Sequence, residues 1–392
     1  MSRHKGLNKW IKTVLTHMPH LSKPQATVLA LFSFGIVMVR SCGLSTVASF
    51  LANLLGKKEN TIRQQLREWY YDDQAKKGEK RCEVDVATCF GPLLRWILSW
   101  WPVEEPRLAL ALDASTLGQT FTVLAISVLY RGCAIPIAWT IVSATAKGCW
   151  RSHWLTLLEH LSGSVPDNWT VIVLTDRGLY ARWLYKQVKA IGWHPFFRIN
   201  SNGKFRPEDS NKYRPLTHAA PTVGSSWCGY VRCFKKHPLD CTPLAKWDEG
   251  QDEAWLIITD LTPQQADACW YAMRAWIESG FNDTKSGGWQ WHRTRITDPD
   301  RAERCWLAIV VATLWAVSVG GEADATLPAS SFEELPPSHV ARRRCRNPFP
   351  QRLLSCFRRG ILKIISDLLA GRPLPLGRFY PEPWPSSPPL PP

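Results

Sequence analysis

Leu108-Ala109-Leu110-Ala111-Leu112-Asp113 is an apolar run closed by a carboxylate, and two more β-rich runs follow it, Phe121 to Tyr130 and Ala134 to Val142. Gly118 and the Arg131-Gly132 pair separate the three, which predicts a three-stranded meander. Next come a helix from Trp150 to Leu161 and a short strand from Trp169 to Leu174, running into Thr175-Asp176-Arg177-Gly178. A helix from Tyr180 to Ile191 and a strand from His194 to Ile199 complete the series. Three strands followed by alternating helix and strand predict a mixed α/β sheet. Asp113 and Asp176 are expected at the ends of apolar strands.

Working outward, residues from about Ser201 to Asp260 break the alternation with Gly, Pro and basic residues and short β-like pieces, Trp227 to Phe234 and Ala254 to Thr259. A structureless loop of that length is uncommon, so a mostly β insertion is expected. Helical texture resumes at Thr262-Pro263, with Thr262 as N-cap and Pro263 as first helical residue. Upstream, Lys23 to about Asp73 is helical, broken at Gly56-Lys57-Lys58 between Leu44 to Leu55 and Glu59 to Tyr71. Ile62, Leu66 and Trp69 recur at helical spacing and leave Arg63, Gln64 and Arg67 to solvent. That pattern fits a helix-turn-helix, and a small bundle with a solvated charged face gives the same pattern. Asp72 to Lys80 is expected to be a linker. Beyond Gly320-Gly321 the chain turns Pro-rich, then gives Arg342-Arg343-Arg344 with Arg346, an amphipathic helix near Leu353 to Leu369, and a tail from Pro373 expected to be extended and flexible.

The chain has 392 residues, 48 Lys+Arg against 33 Asp+Glu for a net charge of +15, and 21 Trp. Such a length supports a sizeable core and excludes a disordered tail protein or a disulfide-stapled miniprotein. The basic balance points to a polyanionic partner, nucleic acid first. Twelve Cys occur without a CxxC pair, and Cys82 to Cys89 and Cys228 to Cys233 lack partners at ligand spacing. This argues against a zinc site and fits a reducing compartment. Two apolar runs, Val28 to Val39 and Cys305 to Val319, fall short of the roughly 20 residues that a bilayer requires. They are expected as buried helices of a soluble protein.

One further set carries chemistry: Tyr271, Arg274, Glu278 and Lys285, spaced Y(2)R(3)E(6)K. On a single helix, at 100° per residue, all four fall within about 60° of one another. A carboxylate flanked by Arg, Lys and a Tyr hydroxyl reads as a reactive face, although a solvated salt-bridging face has the same spacing. An isolated Asp at a strand end more often shapes a turn. Three acids in this order can nonetheless supply the ligands for a pair of divalent ions roughly 3.5–4 Å apart, as phosphodiester cleavage uses.

Together these residues resemble the DDE transposases of bacterial insertion sequences, in the group with a Y-R-E-K signature around the third acid. The resemblance runs from about Arg107 to Val319, through Leu112-Asp113-Ala114-Ser115-Thr116, Thr175-Asp176-Arg177-Gly178-Leu179-Tyr180 and Tyr271 to Lys285. Leu179 stands where many relatives have Phe. An α/β fold is implied: an RNase H-like mixed sheet flanked by helices, interrupted by a β-rich insertion subdomain, with an N-terminal all-helical domain. The acids are separated by 63 residues (113 to 176) and 102 residues (176 to 278), and the longer gap is where this group carries its insertion. The implied parts are a helix-turn-helix-like DNA-binding domain at 1–80 and a connecting segment at 81–106. Two halves of the catalytic core, 107–200 and 261–321, flank the insertion at 201–260, and 322–392 form a basic, Pro-rich end.

By the same resemblance Asp113, Asp176 and Glu278 are the catalytic ligands of two Mg²⁺ ions, for which Mn²⁺ can substitute. Tyr271, Arg274 and Lys285 would hold phosphates at the cleaved end, through charge-assisted contacts that position the strand without reading its sequence. Arg177, Arg63 and Arg67 are further expected DNA contacts. Some relatives cut the second strand through a DNA hairpin and stack a flipped base on an aromatic residue of the insertion, for which Trp227, Trp247 and Trp255 are candidates. The implied activity is cut-and-paste transposition on double-stranded DNA: binding of terminal inverted repeats, hydrolysis at the ends and joining to target DNA. A homodimer in the bacterial cytoplasm, nucleoid-associated and with no membrane partner, is expected to do this. The alternative is a transposase-derived DNA-binding protein without cleavage activity; loss of one acid would have marked it, and all three are present. A nuclease or resolvase without strand transfer would lack the Y-R-E-K face.

Overall fold

The computed structural model describes residues 4–76, 82–146, 150–326 and 354–386. Arg342, Arg343, Arg344 and Arg346, the basic cluster of the sequence, lie outside the described residues. The chain opens with helices α1 (Lys5–His17), α2 (Lys23–Val39), α3 (Leu44–Leu55), α4 (Glu59–Trp69) and α5 (Phe90–Ser99). A capping box starts α2: the Ser22 hydroxyl accepts from the Gln25 amide at 3.4 Å while Gln25 Oε1 accepts from the Ser22 amide at 3.0 Å. Gly56 ends α3 in the left-handed region at φ 64°, which lets the chain turn directly into α4. Ile62, Leu66 and Trp69 of α4 are buried, and Arg63, Gln64 and Arg67 are exposed. The polar stretch after α4 is docked as far as it is described, since Asp72 accepts from Arg301 and Arg304, both at 2.8 Å.

Strands β1 (Arg107–Leu117), β2 (Phe121–Tyr130) and β3 (Cys133–Ser143) form an antiparallel meander. Its links need glycine, with Gly118 at φ 65° and Gly132 at φ 81°. Strand β1 does not end at Asp113 but pairs with β2 out to Leu117 opposite Phe121. Ser115 and Thr116 are compatible with a half-exposed strand edge, so the turn waits for Gly118. Helix α6 (Arg151–Leu161) crosses to β4 (Thr170–Thr175), parallel to β1, and α7 (Arg182–Ala190) crosses to β5 (His194–Arg198), parallel to β4. The order β3-β2-β1-β4-β5, with β1, β4 and β5 parallel, is an RNase H-like sheet. Both faces of its middle are covered, which explains the unbroken apolar runs of β2 and β4.

The insertion supplies β6 (Lys204–Pro207), β7 (Arg214–Pro215), β8 (Ser226–Cys228), β9 (Val231–Cys233), β10 (Leu239–Lys246) and β11 (Trp255–Thr259). Since β11 is antiparallel to β5, the insertion extends the main sheet as β5-β11-β10-β9-β6-β7. A 3-10 helix (Ala268–Ala275) then runs into α8 (Trp276–Thr284). Thr262 does not cap a helix as expected. Its carbonyl accepts from Gln265 in a turn, and the helix starts at Ala268, where the Asp267 side chain accepts from the Cys269 amide at 2.8 Å.

Helix α9 (Pro299–Thr326) is long and apolar enough to cross a bilayer, yet 94% of its most apolar window is buried in the fold, against β3, α2 and α10 (Cys356–Leu369). Trp10 of α1 stacks on Trp315 of α9 with ring centroids 4.3 Å apart, so the N-terminal helices and the sheet region share one core. Among the described residues, the tail after α10 has no regular secondary structure but is docked, against expectation. Leu374 and Phe379 are buried, the Phe379 amide donates to the Trp100 carbonyl at 2.9 Å, and Trp384 packs on Trp270 at 4.8 Å. Proline lowers the entropy cost of ordering such a strap, and its three apolar anchors fix it.

Candidate active site

The parallel strands position the first two acids. Ala111 of β1 pairs with Leu174 of β4, so two residues further on Asp113 and Asp176 emerge side by side at the carboxyl edge of the sheet. That edge is where α/β sheets place their ligands. Each carboxylate is braced by backbone: Asp113 Oδ1 accepts from the Ala114 amide at 2.8 Å, and Asp176 Oδ1 accepts from the Leu179 amide at 3.0 Å. Burial raises the pKa of Asp113, and Asp176 and Glu278 add to the rise; Arg274 and the Ala114 amide oppose it.

The third acid comes from α8, which lies across β3. Gly280 permits this approach, because a Cβ there would stand 2.9 Å from the Ala134 carbonyl. Glu278 sits in the first turn of α8 with its side chain 62% exposed. The single helix assumed for the Y-R-E-K set is corrected: Tyr271 and Arg274 belong to the 3-10 helix, Glu278 to α8, and Lys285 follows the end of α8. A constant 100° step therefore does not apply across the set.

What unites the site is the Arg274 guanidinium, only 14% exposed. One terminal nitrogen, Nη2, donates to Asp113 Oδ2 at 2.8 Å and lies 3.7 Å from Asp176 Oδ2; the other, Nη1, donates to Glu278 Oε1 at 3.0 Å. The three acids thus meet on one cation. Lys285 donates from Nζ to Ser115 Oγ at 2.7 Å, and burial lowers its pKa while Asp113 acts in the other direction. Ser115, which the sequence did not single out, shares a face with Asp113 through the two-residue strand period.

Other expected site residues fall elsewhere. Tyr271 is buried at 6% exposure, edge-on to Trp255 at 5.2 Å, and burial pushes its hydroxyl up to about 12; it underpins the site rather than lining it. Trp255 faces the core in β11, which corrects it as a base-stacking candidate. Trp227 and Trp247 are half-buried, the first tilted on Phe205 at 5.2 Å and the second donating to the Gln251 carbonyl at 3.1 Å. Arg177, next to Asp176, is paired with Glu253 at 2.6 Å, as is Arg198 at 2.8 Å. Arg63 and Arg67 lie on the outer face of α4, and the Arg67 guanidinium stands 5.0 Å from the Tyr71 ring. Among the described residues no group of three His, Cys, Asp or Glu side chains is gathered as a metal cage; the three acids are arranged around Arg274. Their chemistry, hard carboxylate oxygens on a partly open edge, suits a hard divalent cation.

Fold and site together define an RNase H-like protein with a three-acid centre and a basic residue at its middle. Residues 135–315 match the family described as "Transposase DDE domain". The matched stretch takes in Asp176, Tyr271, Arg274, Glu278 and Lys285 and starts after Asp113. Among solved structures, a cryo-EM structure of the piggyBac transposase synaptic complex with hairpin DNA is similar at a TM-score of 0.40 and 10% identity, covering 93% of this chain and 84% of that one. No curated protein matches the sequence.

Proposed function

We propose that the protein is a cut-and-paste transposase that binds the terminal inverted repeats of a mobile element, hydrolyses the phosphodiesters at its ends and joins them to target DNA. The observation that carries this is the convergence of Asp113, Asp176 and Glu278, from two parallel strands and a later helix, on one guanidinium. Asp113, Asp176 and Glu278 would hold Mg²⁺ or Mn²⁺, which supplies an activated water or 3′-hydroxyl and stabilises the leaving oxygen. The protein's own contribution is positioning. Backbone amides fix the two aspartates, α8 brings Glu278 over the sheet edge, and Arg274 and Lys285 offer cations to a phosphate entering beside them. Arg63 and Arg67 on α4 and Arg177 beside the site would extend the contact along the duplex, and Trp227 and Trp247 remain the candidates for stacking on a displaced base. Joining two ends requires a pair of active sites, so the working form is a homodimer on DNA, acting in the bacterial cytoplasm at the nucleoid.

The test is nicking of supercoiled plasmid in Mg²⁺ by wild type and Glu278→Gln, with duplex binding measured on the same preparations. Glu278→Gln should retain binding and lose at least about 100-fold in nicking, since it removes a ligand charge and little volume. Nicking by that variant at the wild-type rate would remove Glu278 from the active site.

A further inference from the structure

The resemblance assigns Arg274 to a DNA phosphate, whereas the structure assigns it to the acids. Both of its terminal nitrogens are engaged, at 2.8, 3.7 and 3.0 Å from Asp113, Asp176 and Glu278, and every ion pair of the three acids among the described residues is with this one side chain. Those carboxylate oxygens are the ones a divalent ion would take. Arginine keeps its charge at any working pH, so deprotonation cannot clear the site. Neighbouring cations cannot relieve it: Lys285 is held by Ser115, and Arg177 and Arg198 are held by Glu253. Arg274 rises from a 3-10 helix, whose poorer hydrogen bonds suit a segment that moves, and its Nε is buried without a hydrogen-bond partner.

Resting on the metal-site reading above, we propose that Arg274 is an internal counter-cation of the acidic centre that must swing out before a divalent ion binds. A DNA phosphate, which offers the guanidinium an equally good bidentate partner, is what draws it away. Metal affinity in the free protein is then weak and rises when DNA occupies the site, and by linkage metal tightens DNA binding to the same degree. The arrangement keeps a hydrolytic centre unloaded until its substrate is in place.

The experiment is Mn²⁺ binding to the full DNA-free chain, read by the electron paramagnetic resonance signal of free Mn²⁺, for wild type, Arg274→Gln and Arg274→Ala. Asp113→Asn is introduced into each background, and Mn²⁺-induced shifts in melting temperature are read on the same samples. Loss of the guanidinium should tighten Mn²⁺ binding about tenfold, within the usual range of coupling energies. Asp113→Asn should abolish that gain, and a short mixed-sequence duplex should tighten Mn²⁺ binding to wild type but not to Arg274→Gln. Arg274→Gln keeps most of the volume and polarity, which guards against a folding defect in Arg274→Ala. Equal Mn²⁺ affinity in wild type and both Arg274 variants, with Asp113→Asn weakening all of them, would overturn the counter-cation and leave the metal site standing. Mn²⁺ affinity indifferent to Asp113→Asn in every background would overturn the metal site and the proposal with it.

Discussion

Asp283 is buried five residues beyond Glu278, and burial pushes its carboxyl up to about 7, with Arg358 only partly opposing the rise. A raised acid pKa means that the folded state holds a proton the unfolded chain has already released between about pH 4 and pH 7. Stability from this group is therefore full at low pH and is lost as pH rises through that window. Asp283→Asn should be more stable than wild type at pH 8, by about 2–4 kcal/mol, with the difference vanishing near pH 4; urea unfolding at the two pH values checks this. Individual residues were also where the sequence was most uneven as a guide. That Asp113 and Asp176 lie side by side could be expected because each closes an apolar run, whereas Glu278 stood out only through the Y-R-E-K spacing. The position of Arg274 between them was not legible, since only the fold brings positions 161 residues apart within hydrogen-bonding distance. Trp255 was misread because a core Trp and a stacking Trp look alike until burial is known.

Elements were legible where hydrophobic period and glycine punctuation agreed, as in β2, β3 and the α3 to α4 turn at Gly56. They were not where tertiary contacts decided, as in the 3-10 start of the Glu278 region and the docked tail. Close approach of α9 and α10 belongs with them. A Cβ at Gly320 would lie 1.7 Å from the Cys356 carbonyl oxygen, and one at Gly360 would lie 1.7 Å from that of Ala316. Gly360→Ala should therefore cost at least about 3 kcal/mol, measured by urea unfolding, because backbone rather than a movable side chain blocks it. For the tail, Phe379→Ala should cost about 3–5 kcal/mol and speed tryptic cleavage at Arg378, whereas a free tail would be cut equally fast with or without Phe379.

The whole molecule couples a helical N-terminal region, an RNase H-like sheet lengthened by its insertion, and a C-terminal strap that runs from α1 past α5 to the 3-10 helix beside the site. That coupling could not be read from sequence, because the contacts join α1, α9 and the tail across more than 300 residues, as in the Lys9 to Leu374 hydrogen bond. The net charge of +15 was legible, and it predicts strongly salt-dependent DNA binding. Lys285→Ala should lower the slope of log K against log salt by about one, as loss of one phosphate contact requires. An unchanged slope would place Lys285 off the DNA. If Asp113, Asp176 and Glu278 form one cleaving centre, Mg²⁺-dependent cleavage of a plasmid carrying the DNA that flanks this gene depends on each of them. Wild type should break the DNA at two defined ends, and Asp113→Asn should bind the same DNA and leave it intact. Breaks at those ends by Asp113→Asn at the wild-type rate would show that Asp113 has no part in cleavage.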